Sequence, residues 1–390
     1  MIALNTLLLI VILPAIDAWF EGCDQRFQLA PNADVQLQSP FYPGRKYPSG
    51  SSCRYTLTAP LGYSLNVVCT IAIDTQQGSA CSTELFYIST EGLPSLVGSE
   101  FFCGTGTLTR ESLFNKMMIA YTSSSTNSGG SFNCRVKTQP QSCDCGWEKW
   151  QKIVGGNEAG INEYTSIVGL QDKSTRIVFC SGVIINYRYI MTAAHCFDYN
   201  PSPGNLQALV GGHNYRIEFD TPYSELYDIE RIVRHEKYIQ RTYDNDIAIL
   251  RTTVNMEWNR GVGPVCLPFN YWYYDFNKLQ VDIAGWGTTS FGGPSSTTLK
   301  RATLDVIANK ECNVQYVNVN KICVHTPGKD TCQLDSGGPL YLRGMQRMYT
   351  IGIVSYGGAC GTGNPSVNTR VSAYLDWIQN NTRDAAYCVK

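Results

Sequence analysis

The sequence has few charged residues, and beyond its first residues it has no long apolar segment. Charged side chains make up 16% of its 390 residues, and the formal net charge is −1. A balance this close to neutral gives no support for nucleic acid or an acidic surface as a partner. No later run approaches the ~20 apolar residues that a membrane-spanning helix needs. We therefore expect a protein that binds neither nucleic acid nor membranes.

Metal-binding spacings are also missing. The four histidines are scattered, and the only two cysteines that stand close together are Cys143 and Cys145. Structural zinc sites use CxxC pairs or clusters of cysteine and histidine. His235, in RHEKYI, lacks the second histidine of the HExxH zinc-protease motif. The sequence therefore predicts no metal and no cofactor.

Cysteine is abundant, with sixteen residues. The cysteines follow residues 1–18, MIALNTLLLIVILPAIDA, an apolar run that ends in small residues as secretory signal peptides do, although no Lys or Arg precedes it. A membrane anchor is the alternative, but the run is short for a span. An even number of cysteines behind such a segment predicts a secreted, extracellular protein rich in disulfides.

Short strand-like runs separated by Gly, Pro and Ser fill most of the chain, which predicts an all-β protein of two domains. The runs up to residue 138 are typical of a β-sandwich. Residues 139–152 have little periodicity and are typical of a linker, and strand-like runs resume from residue 153. Only VSAYLDWIQNN has helical spacing, with one apolar face formed by Val371, Tyr374, Leu375 and Ile378.

The stretch QSPFYPGRKYPSGSSCRYTLTAPLG resembles the opening of a CUB domain. The resemblance covers residues 23–138 and places a CUB-like sandwich at 19–138. It implies two disulfides, Cys23 with Cys53 and Cys81 with Cys103. Cys69 and Cys134 are left over in predicted strands, and we pair them as a third bridge. Such a domain would bind protein or glycan ligands, although no charged or aromatic cluster identifies one.

Some CUB domains bind calcium through acidic residues. Asp74 and Glu84 fall near two such positions, but YTSSST offers serines where a third acid would stand. Because calcium prefers several hard oxygen ligands, the sequence does not predict a calcium site here.

Three further motifs hold the residues that peptide hydrolysis by serine requires. They are TAAHC with His195, DNDIAIL with Asp246, and DSGGP with Ser336. The reaction needs an attacking hydroxyl, an imidazole to accept its proton, and a carboxylate to orient the imidazole. The order His, Asp, Ser excludes the α/β-hydrolases, in which the order is Ser, acid, His. Their GxSxG motif is missing as well, because Leu334 stands at the position of its first glycine.

A fourth motif, KIVGG, begins at residue 152. Together the four motifs resemble those of the chymotrypsin-like serine proteases, and the resemblance covers the span from Cys145 to the C-terminal helix. The resemblance implies a double β-barrel with a C-terminal helix over residues 153–390, preceded by a linker and activation segment at 139–152. It also implies a zymogen that another protease cleaves between Lys152 and Ile153. The new α-amine of Ile153 would then pair with Asp335, since a buried charge is tolerated only when paired.

The same resemblance implies the substrate-binding residues. Asp330 would lie at the base of the specificity pocket and favour Lys or Arg side chains in protein or peptide substrates. Ser355, Tyr356 and Gly357 would form the wall along which the substrate backbone pairs. Where family members carry PGVY, this chain reads PSVN, so Ser366 would narrow the pocket, Asn368 would change its polarity, and the choice between Arg and Lys stays open. Gly212 in VGGHN stands where an acidic calcium ligand would be expected.

The cysteine positions agree with this resemblance. It implies bridges between Cys180 and Cys196, Cys312 and Cys323, Cys332 and Cys360, and Cys145 and Cys266; Cys143 and Cys388 remain and would pair with each other. The Cys145 bridge would keep the propiece attached after activation. Asn380, in NNT, is the one glycosylation sequon.

Leu334 leaves two functions open. In the family a glycine at this position and the serine donate the oxyanion-hole N–H groups, and leucine at a positive φ would cost about 1–2 kcal/mol. The favoured interpretation is a secreted, trypsin-like serine endopeptidase that resembles arthropod venom, salivary or haemolymph proteases. The alternative is a catalytically impaired homologue that acts by binding. In a further alternative, the CUB-like domain is the main actor.

Overall fold

The structure is a computed structural model. It describes residues 23–60, 62–73, 81, 84–92, 96, 99–126, 129–141, 143–147, 158–199, 202–217, 219–287, 295–326, 336–344, 347–357 and 364–390. The chain divides into two compact units, Met1–Ser142 and Cys143–Lys390. None of the helices in these ranges has the length and apolarity that crossing a bilayer requires.

The first unit is built from two sheets. Its strands are β1 (Asp24–Gln28), β2 (Asp34–Gln38), β3 (Ser52–Thr58), β4 (Tyr63–Ile73), β5 (Glu84–Ser89), β6 (Glu100–Phe102), β7 (Gly104–Glu111), β8 (Lys116–Ser123) and β9 (Ser131–Pro140). One sheet has the order β1-β3-β8-β5-β6, and the other has the order β2-β9-β4-β7. Only β1 and β3 run parallel among these pairs.

Alternation in β4 shows why this unit folds as a sandwich. In YSLNVVCTIAI every second residue from Leu65 to Ile73 is buried, while the residues between them are more exposed. A strand with one buried face needs a second layer to cover it. The cover comes from the other sheet, whose Leu57, Phe86 and Ile119 belong to the same apolar cluster as Leu65.

The second unit contains two closed barrels. The first barrel consists of β10 (Ile167–Asp172), β11 (Val178–Asn186), β12 (Tyr189–Thr192), β13 (Leu206–Val210), β14 (Glu225–Arg234) and β15 (Ala248–Thr252). The second consists of β16 (Gln280–Gly285), β17 (Lys300–Ile307), β18 (Lys321–His325), β19 (Pro339–Gly344), β20 (Arg347–Gly357) and β21 (Ser366–Arg370). All described pairings within the barrels are antiparallel.

One apolar cluster joins the two barrels and the C-terminal helix. It includes Ile249 of the first barrel, Ile353 of the second, and Trp286, which is 1% exposed. A single 3₁₀ turn, Val371–Tyr374, leads into helix α1 (Leu375–Asn381). The apolar face expected from sequence is buried in this cluster, because Val371, Tyr374, Leu375 and Ile378 all belong to it.

The predicted fold class is confirmed: an all-β chain with a sandwich, a double barrel and a C-terminal helix. The segment expected as a linker differs from the expectation, because part of it is folded. Gln139 and Pro140 lie in β9 of the first unit. Residues 143–147 belong to the second unit, where Gly146 exchanges backbone hydrogen bonds of 2.7–2.9 Å with Pro264 and Met348.

Packing explains why this segment does not stay free. The ring of Trp147 stands edge-on to Trp258 at 6.4 Å, and its carbonyl accepts a hydrogen bond from Thr165. Gly146 has a positive φ of 74°, and a Cβ there would lie 2.5 Å from the Met348 carbonyl oxygen. Only glycine fits this close approach.

Candidate active site

His195 stands on a short, rigid turn. Strand β12 is buried throughout, and the two alanines after it have no exposed surface. They lead into a 3₁₀ turn, Ala194–Phe197, which holds the histidine. A disulfide from Cys196 to Cys180 of β11 fixes this turn to the barrel. The imidazole is therefore held in place while 16% of its side chain stays exposed.

Asp246 is fully buried beneath this histidine. One carboxylate oxygen accepts a hydrogen bond from the His195 backbone N–H at 2.9 Å, and the other lies 2.7 Å from His195 Nδ1. The second oxygen also accepts a hydrogen bond from Ser355 Oγ at 2.5 Å. Three donors therefore compensate for the burial of the carboxylate, and Nδ1 keeps its proton, which leaves Nε2 free to accept one.

The surroundings raise the pKa of His195 above its ordinary value of 6.5. Burial is the largest influence and lowers it, but the charge and hydrogen bond of Asp246 and the charge of Asp198 outweigh burial. Asp198 is itself held by Arg234 at 2.6 Å and by the Tyr238 hydroxyl at 3.1 Å. The imidazole is therefore a stronger base than a free histidine.

Backbone contacts bring Ser336 to the histidine turn. Its carbonyl oxygen accepts a hydrogen bond from the Ser181 N–H at 2.9 Å and lies 3.8 Å from the Cys196 sulfur. The next residue, Gly337, has a φ of 78°, and a Cβ there would lie 2.1 Å from Thr192 Oγ1. Ser336 and Gly337 thus pack directly on the strand end that leads to His195.

The Ser336 hydroxyl and the His195 ring both lie within the described residues. In the described part of the chain, no hydrogen bond joins Ser336 Oγ to the His195 ring. Catalytic hydrogen bonds are often long before substrate binds. The structure therefore brings His195 and Asp246 into direct contact and places the Ser336 backbone beside them.

Several expected site residues lie outside the described residues: Lys152, Ile153, Asp330, Leu334, Asp335, and the pair Cys332 and Cys360. Asp74 of the CUB-like domain is also among them. Their roles in activation, specificity, the oxyanion hole, the pocket rim and calcium binding remain predictions.

The expected pocket wall forms the end of β20. Gly357 pairs with Ser366 at the start of β21. A Cβ on Gly357 would lie 3.0 Å from Ser366, so a larger residue would crowd the wall. Asn368 is fully buried and donates to the Ser366 and Ile322 carbonyls at 3.2 Å. Its Oδ1 accepts no hydrogen bond within the described residues.

Two features of this wall were missed from sequence. Ser355 is expected in the wall along which the substrate backbone pairs, and the sequence gives no sign that its hydroxyl also contacts the Asp246 carboxylate. Tyr243 was not singled out, yet its ring stacks on Tyr356 at 5.0 Å and stands edge-on to His195 at 5.6 Å. Its position three residues before Asp246 is the only sequence signal that could have drawn attention to it.

The described residues offer one grouping of potential metal ligands, which consists of Cys180, His195 and Cys196. The two sulfur atoms are bonded to each other, so neither is available as a thiolate ligand. In the loop around Gly212, the Asp220 carboxylate instead accepts hydrogen bonds from the His213 and Asn214 N–H groups and from Ser224. Three protein donors therefore satisfy the Asp220 carboxylate.

Seven disulfides are present among the described residues. They join Cys23 to Cys53, Cys69 to Cys134, Cys81 to Cys103, Cys143 to Cys388, Cys145 to Cys266, Cys180 to Cys196, and Cys312 to Cys323. Each is one of the pairings expected from the sequence. Cys69 and Cys134 face each other directly across β4 and β9. Asn380 of the sequon is exposed near the end of α1.

Comparison with known proteins agrees with this geometry. Residues 153–378 match the Trypsin family model, and residues 23–135 match the CUB domain model. Venom serine protease 34 of Apis mellifera is 34% identical over 383 residues, which cover 95% of this chain and 90% of that protein.

Two further relatives match shorter parts of the chain. The venom serine protease of Polistes dominula is 34% identical over 261 residues, which are 65% of this chain and 93% of that protein. Melanization protease 1 of Drosophila melanogaster is 35% identical over 281 residues, which are 64% of this chain and 70% of that protein. The chain therefore belongs to the trypsin family of serine proteases and carries a CUB domain in front of its protease domain.

Proposed function

We propose that this protein is a secreted serine endopeptidase in which Ser336, His195 and Asp246 form the catalytic triad. Ser336 Oγ attacks the scissile carbonyl carbon while its proton passes to His195 Nε2. Asp246 orients the imidazole and stabilises its protonated form. His195 then gives the proton to the departing amine, and a water molecule repeats the sequence to release the acyl group.

The observation that carries this proposal is the buried Asp246 carboxylate beneath His195. Its two oxygens are held by the His195 backbone, the His195 ring and Ser355 at 2.5–2.9 Å. Such an arrangement fixes one tautomer and one ring orientation. A carboxylate with a purely structural role would not need a histidine partner that is partly exposed and can titrate. His195 is such a partner, and of its two ring nitrogens only Nδ1 is bonded to Asp246. The packing of the Ser336 loop on the same turn supports the serine as the group that Nε2 serves.

The oxyanion of the tetrahedral intermediate would be held by the backbone N–H groups of Leu334 and Ser336. Leucine supplies an N–H as glycine does, so the donor survives if the backbone keeps its orientation. Losing one such donor costs about 10²–10³ in rate. Turnover of small substrates therefore distinguishes an intact enzyme from the catalytically impaired homologue.

Substrates would be proteins or peptides with Lys or Arg on the acyl side of the cleaved bond. Asp330 is the residue proposed to bind that cation. Ser366 and the buried Asn368, both in β21, would add polar groups to this pocket. A polar pocket base of this kind suits a basic side chain better than an apolar one.

Activation would occur by cleavage after Lys152, performed by another protease. The new Ile153 amine would pair with Asp335 and order the serine loop. Cys143 and Cys145 are bonded to Cys388 and Cys266, both in the protease unit. We therefore expect the CUB domain to stay covalently attached after cleavage through two bridges rather than one.

Secretion is supported by the density of disulfides, which form and persist in oxidising compartments. The names of the relatives place them in venom, melanization and clotting, the last through the proclotting enzyme of Tachypleus tridentatus. We propose that this chain likewise acts outside the cell. Its CUB domain would bind a protein or glycan ligand.

One preparation tests the proposal. The full chain is incubated with trypsin, its new N-terminus is sequenced, and hydrolysis of Arg, Lys, Phe and Leu p-nitroanilide peptides is measured. The trypsin is removed before the substrates are added, because it hydrolyses the basic ones itself. We expect Ile-Val-Gly-Gly, with turnover of the basic substrates appearing alongside it. Ser336→Ala should be cleaved equally but remain inactive. Equal activity of uncleaved protein would contradict the activation step, and a preference for Phe or Leu would contradict the pocket.

A further inference from the structure

A cleft with a volume of about 810 Å³ lies beside β16, on the face of this strand that is turned away from the barrel core. Val281 and Ile283 of the strand belong to the apolar core, so Gln280 and Asp282 point to the opposite face. A cleft of this size can hold a small molecule. None of the described residues that line it belongs to the proposed triad or to the Ser355–Gly357 wall.

Two acidic side chains are buried in this cleft. Only 4% of Glu163 and 6% of Asp282 is exposed. Asp282 accepts hydrogen bonds of 2.7 Å from both Thr303 Oγ1 and Arg343 Nε. Glu163 accepts hydrogen bonds of 2.9 Å from both Arg343 Nη2 and the Gly160 N–H. The protein itself therefore satisfies both carboxylates, and neither requires a bound cation.

Arg301, on β17, differs because its side chain lacks such partners. Its Nε is buried and lies 3.6 Å from Glu163 Oε2, which is too long for a hydrogen bond. Within the described residues, no hydrogen bond is made by the Arg301 guanidinium group, although only 25% of this side chain is exposed. Buried donors in folded proteins almost always have a partner, which can be a water molecule or an ion. Arg301 can therefore donate to a ligand in the cleft.

The charges that line the cleft favour an anion with a single charge. Three cations, Lys278, Arg301 and Arg343, stand beside the two carboxylates of Glu163 and Asp282, which leaves one positive charge. Arg343 binds both carboxylates, and the exposed Lys278 forms no ion pair in the part of the chain that is described. One negative charge on a ligand would balance this excess. A second would be repelled by the two buried carboxylates.

Guanidinium shape and nearby apolar surface narrow the ligand further. The planar fork of an arginine matches the two oxygens of a carboxylate. Leu279 and Leu342 are half-buried and line the same cleft, so apolar surface stays in contact with water there. An apolar group joined to the carboxylate would cover this surface and stabilise the complex.

We propose that this cleft is a binding site for a small aliphatic carboxylic acid. Arg301 binds the carboxylate, and Leu279 and Leu342 contact the apolar chain. Lys278 adds an attractive charge at the rim. The inference goes beyond the proposed function and does not rest on it, because uncleaved and inactive protein carries the same cleft.

The test uses uncleaved full-length protein at pH 8 and four probes. Hexanoate has both recognised groups, acetate lacks the chain, hexanol lacks the charge, and hexyl phosphate has a second charge. Isothermal titration calorimetry should show that hexanoate binds about tenfold or more tightly than acetate or hexanol. Hexyl phosphate should bind no more tightly than hexanoate. The proposal is overturned if no probe binds, if acetate or hexanol matches hexanoate, or if hexyl phosphate binds more tightly.

A pair of arginine variants locates the binding. Arg301→Met should weaken hexanoate binding about tenfold. Glu163 keeps its hydrogen bonds from Arg343 and Gly160 in this variant, so we expect it to fold. The control Arg231→Met removes an exposed arginine of the first barrel and should leave hexanoate affinity unchanged. Unchanged affinity in Arg301→Met, or an equal loss in both variants, would overturn the site.

Substitutions at the exposed rim guard against misfolding of Arg301→Met. Gln280 is exposed on β16 and lines the cleft. Gln280→Lys should tighten hexanoate binding about threefold, and Gln280→Glu should weaken it by a similar factor, because the charge at the rim changes sign. Both effects should shrink at high salt. Equal hexanoate affinity of the two folded variants would show that the ligand binds elsewhere and would overturn the proposal.

Discussion

Two aspartates, a solvent-exposed one in the CUB domain and a fully buried one in the protease domain, use their hydrogen-bonded partners differently. In the CUB domain, Asp24 holds Arg54 through two hydrogen bonds of 2.8 and 3.1 Å. In the protease domain, Asp246 holds His195 through two hydrogen bonds of 2.7 and 2.9 Å. The Arg54 side chain donates both bonds to Asp24, whereas the backbone and the ring of His195 each supply one to Asp246. Arginine never releases its proton in proteins, whereas histidine titrates near neutrality. The first pair can only stabilise its fold, and the second can transfer a proton.

Replacing each aspartate by asparagine should give the largest difference between the two pairs, measured as catalytic turnover. Asp246→Asn keeps the shape of the side chain but no longer fixes the correct tautomer of His195 or stabilises its cation. We expect kcat of the cleaved protein to fall about 10⁴-fold. The matched variant Asp24→Asn should leave turnover of small substrates at the wild-type value. Both are measured with one basic p-nitroanilide on active-site-titrated protein.

Two results would contradict the comparison. Asp246→Asn with more than a tenth of wild-type turnover would show that the carboxylate is structural. Asp24→Asn with a large loss of turnover, in protein that still melts cooperatively, would show that the pair in the CUB domain is not merely stabilising.

The pH dependence of turnover should show a second, smaller difference between the two pairs. Because the pKa of His195 is raised above 6.5, turnover should fall as pH decreases through a value above 6.5, where the imidazole becomes protonated. Asp198→Asn removes a charge that raises this pKa and should move the midpoint to lower pH. A pH profile of kcat/KM measures both, and an unchanged midpoint would contradict the electrostatic account.

The Asp24 pair should respond in a different pH range. The hydrogen bond and charge of Arg54 hold the pKa of Asp24 below its ordinary value of 3.8. A carboxyl group with a lowered folded-state pKa contributes stability above its unfolded pKa, and this contribution is lost as pH falls through the folded value. At neutral pH, Asp24→Asn should therefore lower the melting temperature of the CUB domain. This difference from wild type should disappear only in strong acid, at a pH well below the range where turnover is lost.

Local sequence motifs were enough to predict much of the fold and the centre of the site. TAAHC and DNDIAIL place His195 and Asp246 because each motif ends or begins a buried strand, and such strands fix the side chains near their ends. Cys69 and Cys134 are the two cysteines left over in predicted strands of the first domain, and the structure pairs them in direct register. These features depend on neighbours that are close in sequence or on one strand pairing.

The remaining features depend on tertiary contacts that no local pattern encodes. Lys321 reads as a surface charge in the sequence, and only the meeting of β18 with residues 242–244 and β20 buries it. Ser355 contacts Asp246 across 109 residues of sequence. Residues 143–147 are held in place by Trp258, Met348 and two disulfides, whose partners all lie on distant parts of the chain. Their own sequence therefore needs no periodic pattern.

Labelling of the nucleophile tests the central proposal most directly, because it needs no knowledge of the substrate. A fluorophosphonate reacts covalently with a serine only when a neighbouring base activates its hydroxyl. Trypsin-cleaved protein is treated with the reagent, and the modified peptide is identified by mass spectrometry after the trypsin has been removed. The account predicts labelling at Ser336, with none in His195→Ala and far less in uncleaved wild type. Cleaved, folded protein in which Ser336 stays unlabelled would contradict it.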